Sequence, residues 1–391
     1  MPTPASEPRL LVTEDAPAYA VLAAVRALRG AGYAPWIAVT GRDAYSWRSR
    51  ARAGVVEVPD PARDRDGYVA ALARAAEQLA VTAVMPGTEV GLVALADARD
   101  AFPPQTALGT MDPETVRRAT DKVELGRLAA EAGLAAPATT PTTRAELESD
   151  PSFPLPAVVK APRTRTPTQE GGFVASPVRH VTSRAQLLDA VAAVPGGVAL
   201  VQPALEGELT AVCGVSWRGE VVAATHQVSR RIFPPGCGIS AFAQTVPPDA
   251  ALEAGVARLI AALGWSGIFQ AQFIRSQQTS YLIDLNPRMY GSLALAVAAG
   301  VNLPAIWADL LLDCPPLLGP YRVGARFRSE ERDLALLGAA ILGGDWRTAL
   351  DVLRPHRGTT HAVFSARDPL PVVALGRKLG RARRILTRSA G

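Results

Sequence analysis

Cysteine and histidine are scarce in this 391-residue chain, which holds three of the first and four of the second. Cys213, Cys237 and Cys314 are scattered and odd in number, which argues against a disulfide framework or a paired metal knuckle and implies reduced thiols. His180, His226, His356 and His361 show no HExxH or comparable ligand spacing, so zinc chemistry is not expected. No run approaches the roughly 18 apolar residues that a membrane span requires. The opening MPTPASEPRLLVTED also lacks a basic segment followed by an apolar run of signal-peptide length, so the expected location is the cytoplasm. A large charge of either sign is missing too, the formal net charge being +5. Basic residues crowd only the last fifteen positions, where Arg377, Lys378, Arg381, Arg383, Arg384 and Arg388 occur with no acid among them. Such a tail reads as a solvated helix face or as a peripheral contact for an anionic surface, nucleic acid or membrane. No nucleic-acid partner is expected from it.

What is present is ample apolar material. With 48% hydrophobic and 20% charged residues, the chain can bury two or three cores. Arg9 to Thr13 reads as a buried strand, Tyr19 to Arg29 as a helix ending at Gly30, and Ala34 to Val39 as a second strand. A helix from Tyr68 to Leu79, a strand from Ala83 to Met85 and a helix from Val90 to Ala96 continue the alternation, which predicts a parallel sheet. The turn after the first strand, Thr13-Glu14-Asp15-Ala16-Pro17-Ala18, has no glycine to let backbone approach a pyrophosphate, so a dinucleotide-binding oxidoreductase is disfavoured. Composition shifts near residues 110 and 325. The expected organisation is an α/β domain over 1–110, a two-subdomain unit over 111–325 and a helical extension with the basic tail over 326–391.

In the second unit, Asp112-Pro113-Glu114 opens one helix, and Asp121 with Glu124 makes a capping-box pattern for the next, which is expected to run to Gly133. A proline-rich stretch leads into the strand Ala157-Val158-Val159-Lys160. A polar loop with Gly171-Gly172, a helix from Ser183 to Ala193 and a strand from Val198 to Gln202 follow. Lys160 ends an apolar strand, a position that costs desolvation energy unless an anion answers the ammonium or the side chain reaches water. Lys122 stands in a helix first turn, where a cation opposes the local dipole.

The most informative segment is a hairpin. Gly267 to Ile274 and Tyr281 to Arg288 flank a polar turn; side chains alternate, so Gln270 and Gln272 share one face of the first strand and Asp284 and Asn286 one face of the second. The spacing about residue 278 sets Gln272 opposite Asp284. Converging carboxylate and amide oxygens suit Mg²⁺, which shares its coordination sphere with substrate phosphates, and Arg288 adds a fork of donors for a phosphate or carboxylate. The same polar residues would equally suit the solvent side of a half-buried sheet.

Taken in order, these pieces resemble the ATP-grasp superfamily, in its carbamoyl-phosphate-synthetase-like branch of carboxylate-amine ligases. They are Asp121-Lys122, the strand Pro154 to Lys160, the Gly171-Gly172 loop, the segment Val201 to Glu208, and Gln272 with Asp284-Leu285-Asn286-Pro287-Arg288. The resemblance implies an ATP-grasp fold, α/β and α+β and multidomain, preceded by a parallel-sheet α/β domain. It implies ATP and Mg²⁺, one ion or two with Mn²⁺ able to substitute. Lys122, Lys160, Gly171 and Gly172 would attend the phosphates, the segment Gln202, Pro203, Ala204 and Leu205 the adenine, and Glu208 the ribose. Gln272, Asp284 and Asn286 would hold the metal, and Arg288 the γ-phosphate or acyl phosphate. Asp284 stands where the family usually has glutamate, the glycine loop is poor in glycine and serine, and Glu208 follows Gly207 directly.

Ser229 to Ser240 resembles the substrate-facing loop of such ligases, with Arg230 or Arg231 clamping a carboxylate and the amides of Gly236 to Gly238 forming an anion nest. The activity implied is an ADP-forming, C–N bond-forming ligation of amino-acid-like carboxylate and amine substrates through an acyl phosphate, in a protein that can form a homodimer. Two alternatives remain open: bicarbonate as the activated acid, giving carboxyphosphate or carbamate, and a nucleotide-binding sensor without turnover.

Overall fold

Alternating apolar strands and amphipathic helices build a five-stranded sheet from the first hundred residues. Strands β1 (Arg9–Glu14), β2 (Ala34–Val39), β3 (Gly54–Glu57), β4 (Ala83–Met85) and β5 (Ala107–Leu108) lie in the order β3-β2-β1-β4-β5, all parallel. Helix α1 (Tyr19–Gly30) covers one face, where Leu10 and Val12 meet Val21, Val25 and Leu28. Helices α2 (Arg65–Gln78) and α3 (Glu89–Leu95) cover the other, where Leu11 and Val84 meet Tyr68, Leu72 and Leu95. The alternation of side chains along β1 assigns its residues to the two layers. The computed structural model describes residues 7–150, 152–163, 165–167, 173–175 and 178–378; Gly171, Gly172 and the tail arginines beyond Arg377 and Lys378 lie outside that range.

Two capped helices lead out of this layer. Asp112 accepts hydrogen bonds from the amides of Glu114 (3.1 Å) and Thr115 (3.0 Å) at the start of α4 (Pro113–Thr120). Asp121 accepts from Val123 (2.9 Å) and Glu124 (3.2 Å) at the start of α5 (Lys122–Glu131). The capping box predicted there is half formed, because the Glu124 carboxylate pairs with Arg118 and Arg127 instead.

Next come β6 (Thr140–Thr142), α6 (Arg144–Ser149), β7 (Ala157–Lys160), the short ribbon of β8 (Arg165–Pro167) and β9 (Phe173–Ala175), β10 (Arg179–Val181), α7 (Arg184–Ala192) and β11 (Ala199–Pro203). Four of these strands form an antiparallel sheet in the order β10-β7-β11-β6. Its one apolar face closes on α6 and α7 through Leu147, Val159, Leu187 and Val201.

The largest sheet follows. Its elements are β12 (Glu208–Trp217), β13 (Glu220–Phe233), β14 (Ile239–Val246), α8 (Ala250–Leu263), β15 (Gly267–Ser276), β16 (Thr279–Asn286), α9 (Leu293–Ala299), α10 (Leu303–Leu311), β17 (Arg326–Arg328), α11 (Glu330–Leu342), α12 (Trp346–Leu353) and β18 (Thr359–His361). Seven strands run in the order β16-β15-β12-β13-β14-β17-β18. Helices α5 and α8 pack on one face through Leu128, Leu259 and Phe269. On the other face α9 and α10 join α1 in a single apolar cluster that includes Leu28, Ile268, Leu293 and Ile306, so the first sheet and the large sheet share a core. No single helix among the described residues is long and apolar enough to cross a membrane.

Two sequence expectations change here. The segment Ser229 to Ser240 is not a loop: β13 runs on through Phe233, and β14 resumes at Ile239 after a short turn. Alternation along an extended strand therefore sends the two arginines to different places. Arg230, partly exposed, pairs with Glu208 at 2.8 Å. Arg231, only 8% exposed, is locked to Asp333 (2.7 Å) and Asp351 (3.0 Å), with its guanidinium over the Phe242 ring. The second change is that the 326–391 segment is not purely helical, because β17 and β18 extend the large sheet.

Asp333 is 1% exposed and bridges Arg231 and Arg328, the latter at 2.6 Å. Removing it leaves two guanidinium groups facing each other without their shared counter-ion. Asp333→Ala is expected to lower unfolding stability by about 3–5 kcal/mol, read from the denaturant midpoint at neutral pH.

Candidate active site

In an open parallel sheet, ligands sit outside the carboxyl ends of the strands where the order reverses. Here the reversal falls between β1 and β4, and the segments leaving these strands, Asp15 to Tyr19 and Gly87 to Val90, form one wall of a cleft of about 510 Å³. Glu14 braces the first segment. Its buried carboxyl accepts hydrogen bonds from the amides of Ala18 (2.9 Å), Tyr45 (2.8 Å) and Ser46 (3.0 Å). Burial pushes it up to about 7, opposed by hydrogen bonds from Ser46, Ala18 and Tyr45. Gly87 lets the second segment approach, since a Cβ there would lie 2.3 Å from the Thr13 carbonyl oxygen.

The opposite wall comes from the β15–β16 hairpin. Its register places Gln270 across from Asn286 and Gln272 across from Asp284, as the spacing predicts, with an irregularity just beyond, between Gln272 and Phe273. Asn286 Nδ2 donates to Gln270 Oε1 at 3.2 Å and to Gln272 Oε1 at 3.3 Å, and Asn286 Oδ1 accepts from Arg288 at 2.9 Å. Arg288 also donates to the Met289 carbonyl at 2.9 Å and stands 4.0 Å from Glu89, which ties the hairpin to the first wall.

Two lysines enter from α5 and β7. Lys122, its side chain 9% exposed, puts Nζ 2.5 Å from Asp284 Oδ1. Lys160, 8% exposed, donates to the Ile283 carbonyl at 3.1 Å. Desolvation lowers the Lys160 ammonium to about 8, against the pull of Asp284 and with the push of Lys122. Beside them a second cavity of about 400 Å³ is walled by Leu134, Pro137, Leu200, Leu282 and Ile283 and reaches both lysines.

Among the described residues no three His, Cys, Asp or Glu side chains gather as a ligand set. One carboxylate and two amide oxygens, Asp284 with Gln272 and Asn286, make a hard and incomplete donor set. It fits Mg²⁺, which keeps waters and phosphate oxygens as its remaining ligands.

The cleft thus gathers Lys122, Lys160, Gln272, Asp284, Asn286 and Arg288 out of the residues singled out from sequence. Of the other described residues so singled out, Gln202, Pro203, Ala204, Leu205, Glu208, Arg230 and Arg231 do not line it. Gln202 is buried in β11, with the Ala204 amide bonded to the Pro156 carbonyl at 2.9 Å. Glu208 bridges Arg230 and Arg275, the latter at 2.5 Å. Of the segment Ser229 to Ser240, the first two residues of β14, Ile239 and Ser240, line the cleft, and neither arginine does. Sequence reasoning passed over Asp15, Tyr19, Thr88, Glu89, Ser292 and Arg332, all on the cleft wall. The position of Asp15 and Thr88 after two neighbouring parallel strands was the available signal for those two.

The same architecture occurs in solved proteins. The L-amino acid ligase of Bacillus licheniformis superposes with a TM-score of 0.60 at 16% identity, covering 78% of this chain and 74% of that one. The N5-carboxyaminoimidazole synthetase of Staphylococcus aureus gives 0.61 at 11%, covering 86% of each. The N5-carboxyaminoimidazole ribonucleotide synthetase of Thermus thermophilus gives 0.58 at 19%, covering 81% of each. A family model described as "ATP-grasp in the biosynthetic pathway with Ter operon" matches residues 197–331. The chain has the ATP-grasp fold. Among curated proteins no sequence matches it. Within this ATP-grasp chain the family match spans the hairpin with Gln272, Asp284, Asn286 and Arg288, while Lys122 and Lys160 lie before it.

An anionic ligand near Lys160 favours the ammonium and raises its pKa from about 8. Above that pH the free side chain is largely neutral, so binding of a nucleotide takes up a proton. At pH 8.5, calorimetric titration of MgATP in buffers of different ionisation enthalpy is expected to show net uptake of up to roughly three-quarters of a proton, lost in Lys160→Met. Without ligand the sign for folding is the reverse of a salt-bridged lysine: the unfolded chain binds the extra proton between about 8 and 10.5, so this group favours the folded state as pH rises through that window.

Proposed function

We propose that this protein is an ADP-forming ligase that uses MgATP to convert a carboxylate into an acyl phosphate, which an amine then attacks. The observation that carries the reading is the convergence of Lys122, Lys160, Asp284 and Arg288 on one cleft, four charged side chains from three separate elements and the segment after β16. Burial lowers the Lys160 ammonium to about 8, so an oligophosphate in the cleft supplies a counter-charge that favours its protonated form, with Lys122 beside it. Lys122 and Lys160 hold the phosphates, and the cavity beside them takes the base; Thr139 on its wall donates to Gln202 at 3.4 Å. Arg288, held by Asn286 and the Met289 carbonyl, presents its remaining N–H groups to the transferred phosphoryl group.

Asp284, Gln272 and Asn286 would hold Mg²⁺, which when bound would neutralise charge developing on the phosphates. The protein's own part is largely positional: the hairpin register fixes the oxygen donors, and the short loops after β1 and β4 wall the second substrate against them. The similar structures support this reading, for they include an L-amino acid ligase and two N5-carboxyaminoimidazole-forming synthetases. One further solved relative, from Hydrogenobacter thermophilus, is a biotin carboxylase domain described in complex with MgADP and bicarbonate, which keeps bicarbonate among the acids to be tried.

ATP consumption should be followed with pooled carboxylic acids, amino acids and bicarbonate, and the nucleotide product identified. ADP and phosphate are expected in one pool, and Lys160→Ala and Asp284→Ala are expected to lose about 100-fold or more of kcat. AMP and pyrophosphate as products, or ATP binding without turnover in every pool, would refute the ligase reading.

A further inference from the structure

The first turn of α11 is fastened on every side but one. Glu330 accepts hydrogen bonds from the amides of Phe364 (2.7 Å) and Val363 (3.2 Å). Glu331 accepts from the Tyr45 hydroxyl at 3.1 Å and pairs with Lys378 at 2.9 Å. Asp333 is held by Arg231 and Arg328. Between them, Arg332 turns the other way and lines the cleft beside Tyr19 of α1. Its Nε and the hydroxyl of Ser329 at the cap of the same helix are buried without a well-formed hydrogen bond, the Tyr19 hydroxyl lying beside both. Burial pushes the Tyr19 phenol above its usual value, with Ser329 and Arg332 beside it pulling the other way.

A buried guanidinium N–H with no well-aligned acceptor is costly unless a ligand supplies one. The ligand chemistry that a guanidinium fork matches is a planar carboxylate or a phosphate. The phosphates have their own cations, Lys122 and Lys160, which enter from α5 and β7, whereas Arg332 enters from α11 against α1. We infer that Arg332, with Tyr19 beside it, anchors a non-reacting carboxylate on the amine substrate, so that the amine is an α-amino acid and not a simple amine. This rests on the ligase reading and names its substrate class. It also gives the Arg231–Asp333–Arg328 cluster a use: these residues never touch substrate but hold the turn that aims Arg332.

The test compares ADP release with MgATP and a fixed pool of amine-free carboxylic acids, including N-acetylated amino acids. To this are added either α-amino acids or the same compounds as carboxamides. The wild type is expected to favour the amino acids by about 10- to 100-fold in kcat/KM. In Arg332→Leu that preference should collapse through KM for the amine, and Arg332→Lys should recover part of it. The Kd for MgATP and the melting temperature of both variants should match the wild type, which separates a lost anchor from a lost fold. Equal use of carboxamides by the wild type, or a preference that survives in Arg332→Leu, overturns the anchor and leaves the ligase reading standing. No ADP from any pool overturns the ligase reading and the anchor with it.

Discussion

Two ammonium groups lie against one carboxylate at the centre of this protein. Lys122 and Lys160 are each less than a tenth exposed and face Asp284, and no second acid completes a ligand cluster there among the described residues. Burial disfavours the Lys160 charge, Asp284 favours it and Lys122 disfavours it; the lowered pKa of Lys160 is the balance of these effects. An anion beside Lys160 would favour its protonated form against that burial. On the proposed ligase reading, the ion pair between Lys122 and Asp284 would exchange, the lysine turning to phosphate and the carboxylate to a cation.

The scaffold exists to bring that trio together from distant parts of the chain. Lys122 begins a helix whose start is fixed by the Asp121 cap, and Lys160 ends a strand of the smaller sheet. Asp284 sits in a hairpin of the larger one. The first sheet contributes no cation to the cleft but supplies its far wall, held in shape by the buried Glu14 carboxylate and by the close approach that Gly87 permits. The shared core of α1, α9 and α10 sets the distance between the walls, so apolar packing far from the chemistry governs how wide the cleft stands. The C-terminal segment completes the enclosure through α11, whose first turn is pinned by ion pairs on buried groups.

Much of this was legible from local chemistry. The parallel layer followed from alternating strands and helices, the helix starts from Asp112 and Asp121, and the facing of Gln272 and Asp284 from a period of two about a short turn. These features depend on neighbours a few residues away, and elementary geometry propagates them reliably. The same local reasoning failed at Arg230 and Arg231. A proline- and glycine-containing turn after two arginines looks like a loop, but β13 extends through both because β14 and β17 were available to pair beyond it.

Residue type, spacing and order by themselves determined the strand-and-helix succession, the oxygen-rich hairpin and the two lysines suited to an anion. Only the tertiary structure decided which arginine faces the cleft and which is buried in an ion pair. It also decided that the loops after β1 and β4 form the other wall, and that the C-terminal segment adds strands to the large sheet. The reason is physical. A side chain's periodicity fixes the direction it points from its own backbone, whereas its counter-charge, its burial and its share of a cleft are set by groups a hundred or more residues away.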